Sequence, residues 1–100
     1  MWGYELMVFV TVDNNLARLR KMSGMIFKIY PGSVVYEFID PMLSAKYICN
    51  NPVDMVIARI NMKPVDGGLL KSVIHKNKPE ISVMLLQDDV DEIPKNIMIG

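Results

Sequence analysis

Three apolar runs in this sequence have the composition of β-strands, and each leads into side chains that could bind or orient a ligand. These side chains are Asp13 and Asn14, then Arg59 and Asn61, and finally Gln87 and Asp88. If the runs are parallel strands, their carboxyl ends meet at one edge of a sheet. Arg59 is the unusual member of the group, because a guanidinium stays protonated and cannot act as a nucleophile. It could instead pair with a carboxylate or neutralise a bound anion.

The spacing of apolar residues predicts the elements that must position these side chains. The run Leu6–Val12 is almost wholly apolar, as in a strand covered on both faces. Helical spacing follows in Leu16–Ile29, and Asp40 before Pro41 is typical of a helix start. The predicted strands are 6–12, 34–39, 54–60 and 81–86. Alternating strands and helices predict an α/β parallel sheet with right-handed crossovers.

Composition restricts the class of protein. The 100 residues suit one domain, 1–100, and 51% of them are hydrophobic, which is enough for a core. The 11 basic residues balance 11 acidic ones, so we expect neither a nucleic acid nor a membrane surface as partner. We also expect no membrane span, because no apolar run reaches about 18 residues. Cys49 is the only cysteine, which excludes an internal disulfide and a cysteine-based zinc site. These features favour a cytoplasmic protein.

Two further motifs have simple structural explanations. His75 lies late in a predicted helix and has no second histidine to join it in a metal site, so we interpret it as a surface cation. Asp66 with Gly67 and Gly68 could cradle a phosphate, but a lone glycine pair before a helix is better explained as a turn and a helix start.

The order and spacing of three stretches resemble the receiver domain of bacterial response regulators. The stretches are FVTVDNN, YEFIDPMLSAKYICNNPVDMVIARINMKPVDGG and ISVMLLQDD. The middle one is most similar to receivers that carry a LytTR-type DNA-binding domain, and the resemblance runs from Leu6 to Asp88. It implies a flavodoxin-like (CheY-like) three-layer sandwich with strand order 2-1-3-4 and room for a short fifth strand.

The resemblance also implies roles for the residues at the strand ends. In the family, a histidine kinase phosphorylates an aspartate at the end of the third strand, and this position falls on Arg59. The acidic pair that holds Mg²⁺ falls on Asp13 and Asn14, and a metal-binding carbonyl position falls on Asn61. The Thr or Ser switch falls on Gln87. The implied pocket is therefore degenerate, and we expect no enzymatic activity, no metal and no cofactor. Its six residues are Asp13, Asn14, Arg59, Asn61, Gln87 and Asp88.

The end of the chain is short for this family. After Leu86, 14 residues remain of the 100 (100 − 86), and Lys95 is the only approximate counterpart of the family's final lysine. We therefore expect the fourth strand to be left partly bare and to form a homodimer interface. The predicted interface residues are Ile81, Val83, Leu85, Lys95, Ile97, Met98 and Ile99.

Three functional hypotheses follow from the sequence. The first is a pseudo-receiver that acts without phosphorylation, by binding a kinase, a phosphotransferase, another regulator or itself. The second is a protein that binds a small anion, a nucleotide or a flavin at the same edge, with Arg59 as counter-charge, although Asp13–Asn15 lacks a phosphate-binding pattern. The third is a truncated product without function.

Overall fold

A four-stranded parallel sheet forms the centre of the protein. The structure is a computed structural model, and it describes residues 6–88. The elements are β1 (Val8–Val12), α1 (Leu16–Ile29), β2 (Val34–Phe38), α2 (Pro41–Asn50), β3 (Met55–Arg59), α3 (Gly67–Asn77) and β4 (Ser82–Leu86). The strand order is β2-β1-β3-β4, which confirms the predicted sheet. The predicted fifth strand, with Lys95, Ile97, Met98 and Ile99, lies outside the described residues.

All three helices begin at the carboxyl edge of the sheet, and each has a side-chain cap. Asn15 accepts a hydrogen bond from the Arg18 amide at 3.0 Å. Asp40 accepts one from the Met42 amide at 2.9 Å, and Asp66 accepts one from the Leu69 amide at 2.8 Å. Such caps satisfy amides that the first helical turn leaves unpaired. The predicted helix starts at Asp40 and Asp66 are confirmed.

The helices cover both faces, so the fold has three layers. On one face α1 packs on a cluster that contains Phe9, Ile26 and Ile57. On the other face α2 and α3 contribute Ile48 and Ile74 to a second cluster. Successive residues of a strand point to opposite faces. Every residue of β3 is buried, and its alternation puts Arg59 on the α1 face.

Three of the predicted interface residues lie in β4 or directly before it. Ile81 is only 3% exposed and belongs to the chain's own core, so it has little surface to offer a partner. Val83 and Leu85 are partly buried against the same cluster, and their place in an interface stays a prediction. Within residues 6–88, no helix has both the length and the apolar character that a membrane crossing requires.

Gly67 is required where α3 starts against the end of β3. Its amide donates to the Ile60 carbonyl at 2.7 Å. A Cβ on Gly67 would collide with the Arg59 carbonyl oxygen and would lie 3.0 Å from Leu85 Cδ2. Gly24, in the middle of α1, would place a Cβ in open space. The two glycines therefore form a matched pair.

We expect Gly67→Ala to lower the free energy of unfolding by about 1–3 kcal/mol, because backbone must move to admit the methyl group. Gly24→Ala should instead raise it by about 0.5–1 kcal/mol, since alanine favours an exposed helix interior. Urea denaturation of both variants measures the two effects. Similar values for the two alanines would contradict this account of the α3 start.

Candidate functional site

Arg59 is a buried arginine at the carboxyl edge of the sheet. Its side chain is 1% exposed and that of Asp13 is 0% exposed. Arg59 Nε donates to Asp13 Oδ2 at 3.0 Å, so the end of β3 is bound to the residue that follows β1. Arg59 Nη1 donates to the Gln87 carbonyl at 2.6 Å, which adds the residue that follows β4. We call this edge, with its six predicted site residues, the crevice.

Asp13 has a hydrogen-bond partner for each part of its carboxylate. Arg18 donates from Nε to Oδ2 at 3.1 Å and from Nη2 to Oδ1 at 3.0 Å. The Asn15 amide donates to Oδ1 at 2.9 Å. With the bond from Arg59, these contacts use about all four lone-pair directions of a carboxylate. One buried anion is thus shared between two guanidinium groups.

Arg18 is a site residue that the sequence analysis did not identify. It lies in the first turn of α1, five residues after Asp13, and its side chain is 31% exposed. Two arginines, Arg18 and Arg20, occur in the same turn of the helix, and only one can face the crevice. The N-cap at Asn15 fixes the start of α1 and so turns Arg18 back toward Asp13.

Asn14 joins two loops of the crevice. Its Nδ2 donates to the Ile39 carbonyl at 2.8 Å and to the Lys63 carbonyl at 3.0 Å. Its Oδ1 accepts from the Lys63 amide at 2.7 Å. Only an amide side chain can both donate and accept in this way. An aspartate here would direct a carboxylate oxygen at two carbonyl oxygens, which explains why the structure favours asparagine.

The other predicted site residues lie nearby but play different parts. Asn61 Nδ2 donates to Asp88 Oδ2 at 2.9 Å, so the side chain of Asn61 also takes part in the crevice. Gln87 contributes its backbone carbonyl to Arg59. Concavities of about 440 and 420 Å³ lie beside Asn14 and Gln87 respectively. The structure therefore brings all six predicted residues to one edge.

The donor set does not fit the Mg²⁺ ion that the resemblance would imply. Magnesium prefers several anionic oxygen ligands in octahedral geometry. Asp13 is the one carboxylate in the buried cluster, and its oxygens already accept four N–H groups. Across residues 6–88, no group of three or more acidic, histidine or cysteine side chains could hold a metal.

Comparison by sequence finds a curated relative. The chain is 28% identical over 78 residues to stress response regulator protein 1 of Lodderomyces elongisporus, a stretch that covers 76% of this chain and 22% of that protein. The chain thus spans about a fifth of its relative. No family model matches the sequence.

Comparison by structure finds receiver domains. A CheY-like receiver from Methanospirillum hungatei has a TM-score of 0.77 at 17% identity, covering 86% of this chain and 67% of that one. The receiver domain of the stress response regulator RcsB from Escherichia coli has a TM-score of 0.69 at 22% identity, covering 82% of this chain and 65% of that one. The chain therefore has the fold of CheY-like receiver domains, as the sequence motifs predicted.

We expect Asp13→Asn to destabilise the protein more than Arg59→Met. The first change leaves the buried Arg59 charge without its counter-ion, which costs about 3–5 kcal/mol of unfolding free energy. The second leaves Asp13 bound by Arg18 and the Asn15 amide, so we expect a loss of about 1–2 kcal/mol. Chemical denaturation gives both values. The double variant should lose less than the sum of the two. Additive losses, or the reverse order, would refute the pairing.

We expect Asn14→Asp to lower the free energy of unfolding by about 1–3 kcal/mol, because two carbonyls lose their donor. The matched control is Asn50→Asp, which removes a single exposed bond to the Lys46 carbonyl and should cost less than about 1 kcal/mol. Thermal and urea denaturation measure both variants. Equal losses would show that Asn14 does not join the two loops in solution.

Proposed function

We propose that this chain is a receiver-like interaction module of two-component-type signalling that works without being phosphorylated. The observation that carries the proposal is the bond between Arg59 and Asp13. Arg59 occupies the strand-end position at which the receiver resemblance expects the phosphoryl acceptor. It is buried there against the one carboxylate of the cluster.

The buried centre of the crevice, formed by Arg59 and Asp13, offers no free nucleophile for phosphoryl transfer. A guanidinium has no lone pair to attack phosphorus and stays protonated in proteins. Asp13 is fully buried, and its two oxygens accept hydrogen bonds from Arg59, Arg18 and the Asn15 amide. To attack a phosphoryl donor, Asp13 would have to break these bonds and move to the surface.

The electrostatics of the cluster also oppose a divalent cation. Asp13, Arg18 and Arg59 together have a formal charge of +1, from two guanidinium groups and one carboxylate. A dication a few ångströms from two guanidinium groups would be repelled by several kcal/mol at the effective dielectric of a protein surface. The free-energy cost of binding Mg²⁺ is therefore larger in this crevice than in a pocket lined by carboxylates.

The crevice is held in one arrangement by contacts that need no ligand. Arg59 joins β1, β3 and the end of β4, and Asn14 joins the loops after β2 and β3. The helices begin at this edge, and exposed apolar side chains lie in or just before their first turns. They are Leu16, Ile39, Met42 and Leu69. Such side chains around a fixed site favour binding to another protein over chemistry.

The comparisons support a class of partner. Both the curated relative and the two solved structures carry names of response regulators or receivers. This supports a partner among kinases, phosphotransferases and other regulators, or a second copy of the chain. The alternative, a site for a small anion or flavin, is less well supported, because the N–H groups of Arg18 and Arg59 that face Asp13 and the Gln87 carbonyl are already engaged.

We expect the protein to remain unmodified in acetyl phosphate with millimolar Mg²⁺. Intact-mass spectrometry would detect a phosphoryl adduct, and calorimetry would detect Mg²⁺ binding. An acyl phosphate on any aspartate, Asp13 included, would overturn the proposal. FMN and nucleotides should leave Tm unchanged, whereas a ligand site would raise it by mass action.

The matched variant for this experiment is Arg59→Asp with Asn14→Asp. It raises the carboxylates at these positions to about three, the set that magnesium prefers. We expect measurable Mg²⁺ affinity in this variant, at lower stability. If the variant folds and still ignores Mg²⁺, Arg59 and Asn14 are not the residues that exclude the metal.

A further inference from the structure

Among residues 6–88 the outer edge of β2 is open, because β2 pairs only with β1 in that part of the chain. The Val34 amide and the Phe38 carbonyl point toward β1, where they bond to Met7 and Asp13. Strand geometry alternates along the chain, so the N–H and C=O groups of Val35 and Glu37 point outward.

This edge lacks the features that usually prevent strand pairing. Natural edge strands are often guarded by lysine, proline or a bulge. The sequence of β2 is VVYEF, whose only charge is Glu37. That charge is already engaged, because Ser23 Oγ donates to Glu37 Oε2 at 2.7 Å and Arg20 Nε lies 3.5 Å from Oε1.

Apolar side chains flank the edge on the α2 face. Tyr47 of α2 packs against Tyr36 and Phe38 with tilted rings, whose centroids are 5.0 and 5.5 Å from its own. A concavity of about 480 Å³ opens beside them, lined in part by Leu43. Tyr36 is 42% exposed and Leu43 57% exposed. We call Tyr36, Phe38, Leu43 and Tyr47 the aromatic patch.

The α1 face presents a cation and an aromatic ring. Arg20, Phe27, Val35 and Glu37 line one concavity of about 340 Å³. A crossover helix runs antiparallel to its strands, so Arg20 lies beside Glu37 while Phe27, about two turns later, lies toward Val35. Phe27 is 48% exposed.

We propose that the β2 edge pairs with the β2 edge of a second copy of this chain, antiparallel about a two-fold axis at Tyr36. In this register Val35 lies opposite the Glu37 position of the other copy. The two strands then exchange about four hydrogen bonds, which use every outward-pointing group of β2. Tyr36 forms the central pair without hydrogen bonds, where side chains of two strands come closest.

The occupant is a second copy because the edge is self-complementary. The two-fold axis brings the two aromatic patches together on one face. On the other face it places Arg20 of each copy near Phe27 of the other, a favourable cation–π arrangement. The chain has a formal net charge of +0, so two copies have no overall charge repulsion to overcome. This pairing does not depend on the state of the crevice.

The expected interface is small. A five-residue strand is about 17 Å long, and three layers are about 30 Å across, which gives roughly 500 Å² per copy. The total is near the lower limit of specific interfaces, so we expect a dimer that forms at micromolar concentrations.

Sedimentation tests the pairing at about 1–100 µM, a range that spans the micromolar dissociation constant expected for the dimer. The mass should rise from 11.4 kDa toward twice that value, and the amides of Val35 and Glu37 should exchange more slowly as the dimer forms. Tyr36→Lys places two cations at the axis and should weaken the dimer at least about tenfold. Val73→Lys, at an exposed valine on α3, should leave the dimer unchanged.

Disulfide trapping keeps the test decisive if Tyr36→Lys fails to fold. The central pair has Cα atoms about 4.5 Å apart, within reach of a disulfide. In a Cys49→Ala background, Tyr36→Cys should form a covalent dimer on oxidation, and Ser72→Cys on α3 should not. A wild-type monomer at the highest concentration would overturn the proposal. A dimer that survives Tyr36→Lys and is not trapped by Tyr36→Cys would also overturn it. So would amides of Val35 and Glu37 that exchange more slowly only when an extended peptide is added.

Discussion

The buried ion pair between Arg59 and Asp13 is the contact on which the carboxyl edge of this sheet depends. β3 is buried along its whole length, so an arginine at its end must bring its charge out of water. Removing a guanidinium from water is costly unless it is paired and hydrogen bonded. Asp13 and the Gln87 carbonyl meet that need, and in doing so they bind the ends of β1, β3 and β4 to one another.

The same edge gathers the other polar contacts for a geometric reason. In a parallel α/β sheet every strand delivers its carboxyl end, and every helix its first turn, to one side of the molecule. Helix caps, the two-loop contact of Asn14 and the second guanidinium from Arg18 therefore all lie close together. The buried polar groups of the crevice are bonded to one another, whereas the edge of β2 has backbone groups that point outward. Binding is expected at open surfaces of this protein more than within the crevice.

Much of the fold follows from local patterns. Apolar runs separated by helical spacing predicted β1 and α1, and Asp40 before Pro41 marked the start of α2. The order of the strands in the sheet came from the resemblance to receiver domains. The site was predicted only in part. Its six residues do meet at one edge, but Arg18 was missed, because Arg18 and Arg20 look alike in the sequence. The orientation of α1 on the sheet decides that Arg18 meets Asp13 and Arg20 meets Glu37.

The sequence by itself determined the charges and the elements: an arginine where an acceptor carboxylate is expected, an amide in place of a second acid, and strands that alternate with helices. The tertiary structure decided how these groups are used. Arg59 and Asp13 are 46 residues apart, and their contact exists only because β1 and β3 are neighbours in the sheet. Likewise, Asn14 is required as an amide only because packing brings the Ile39 and Lys63 carbonyls to it. Side-chain chemistry is local, but distances between remote segments are set by the packing of the whole core.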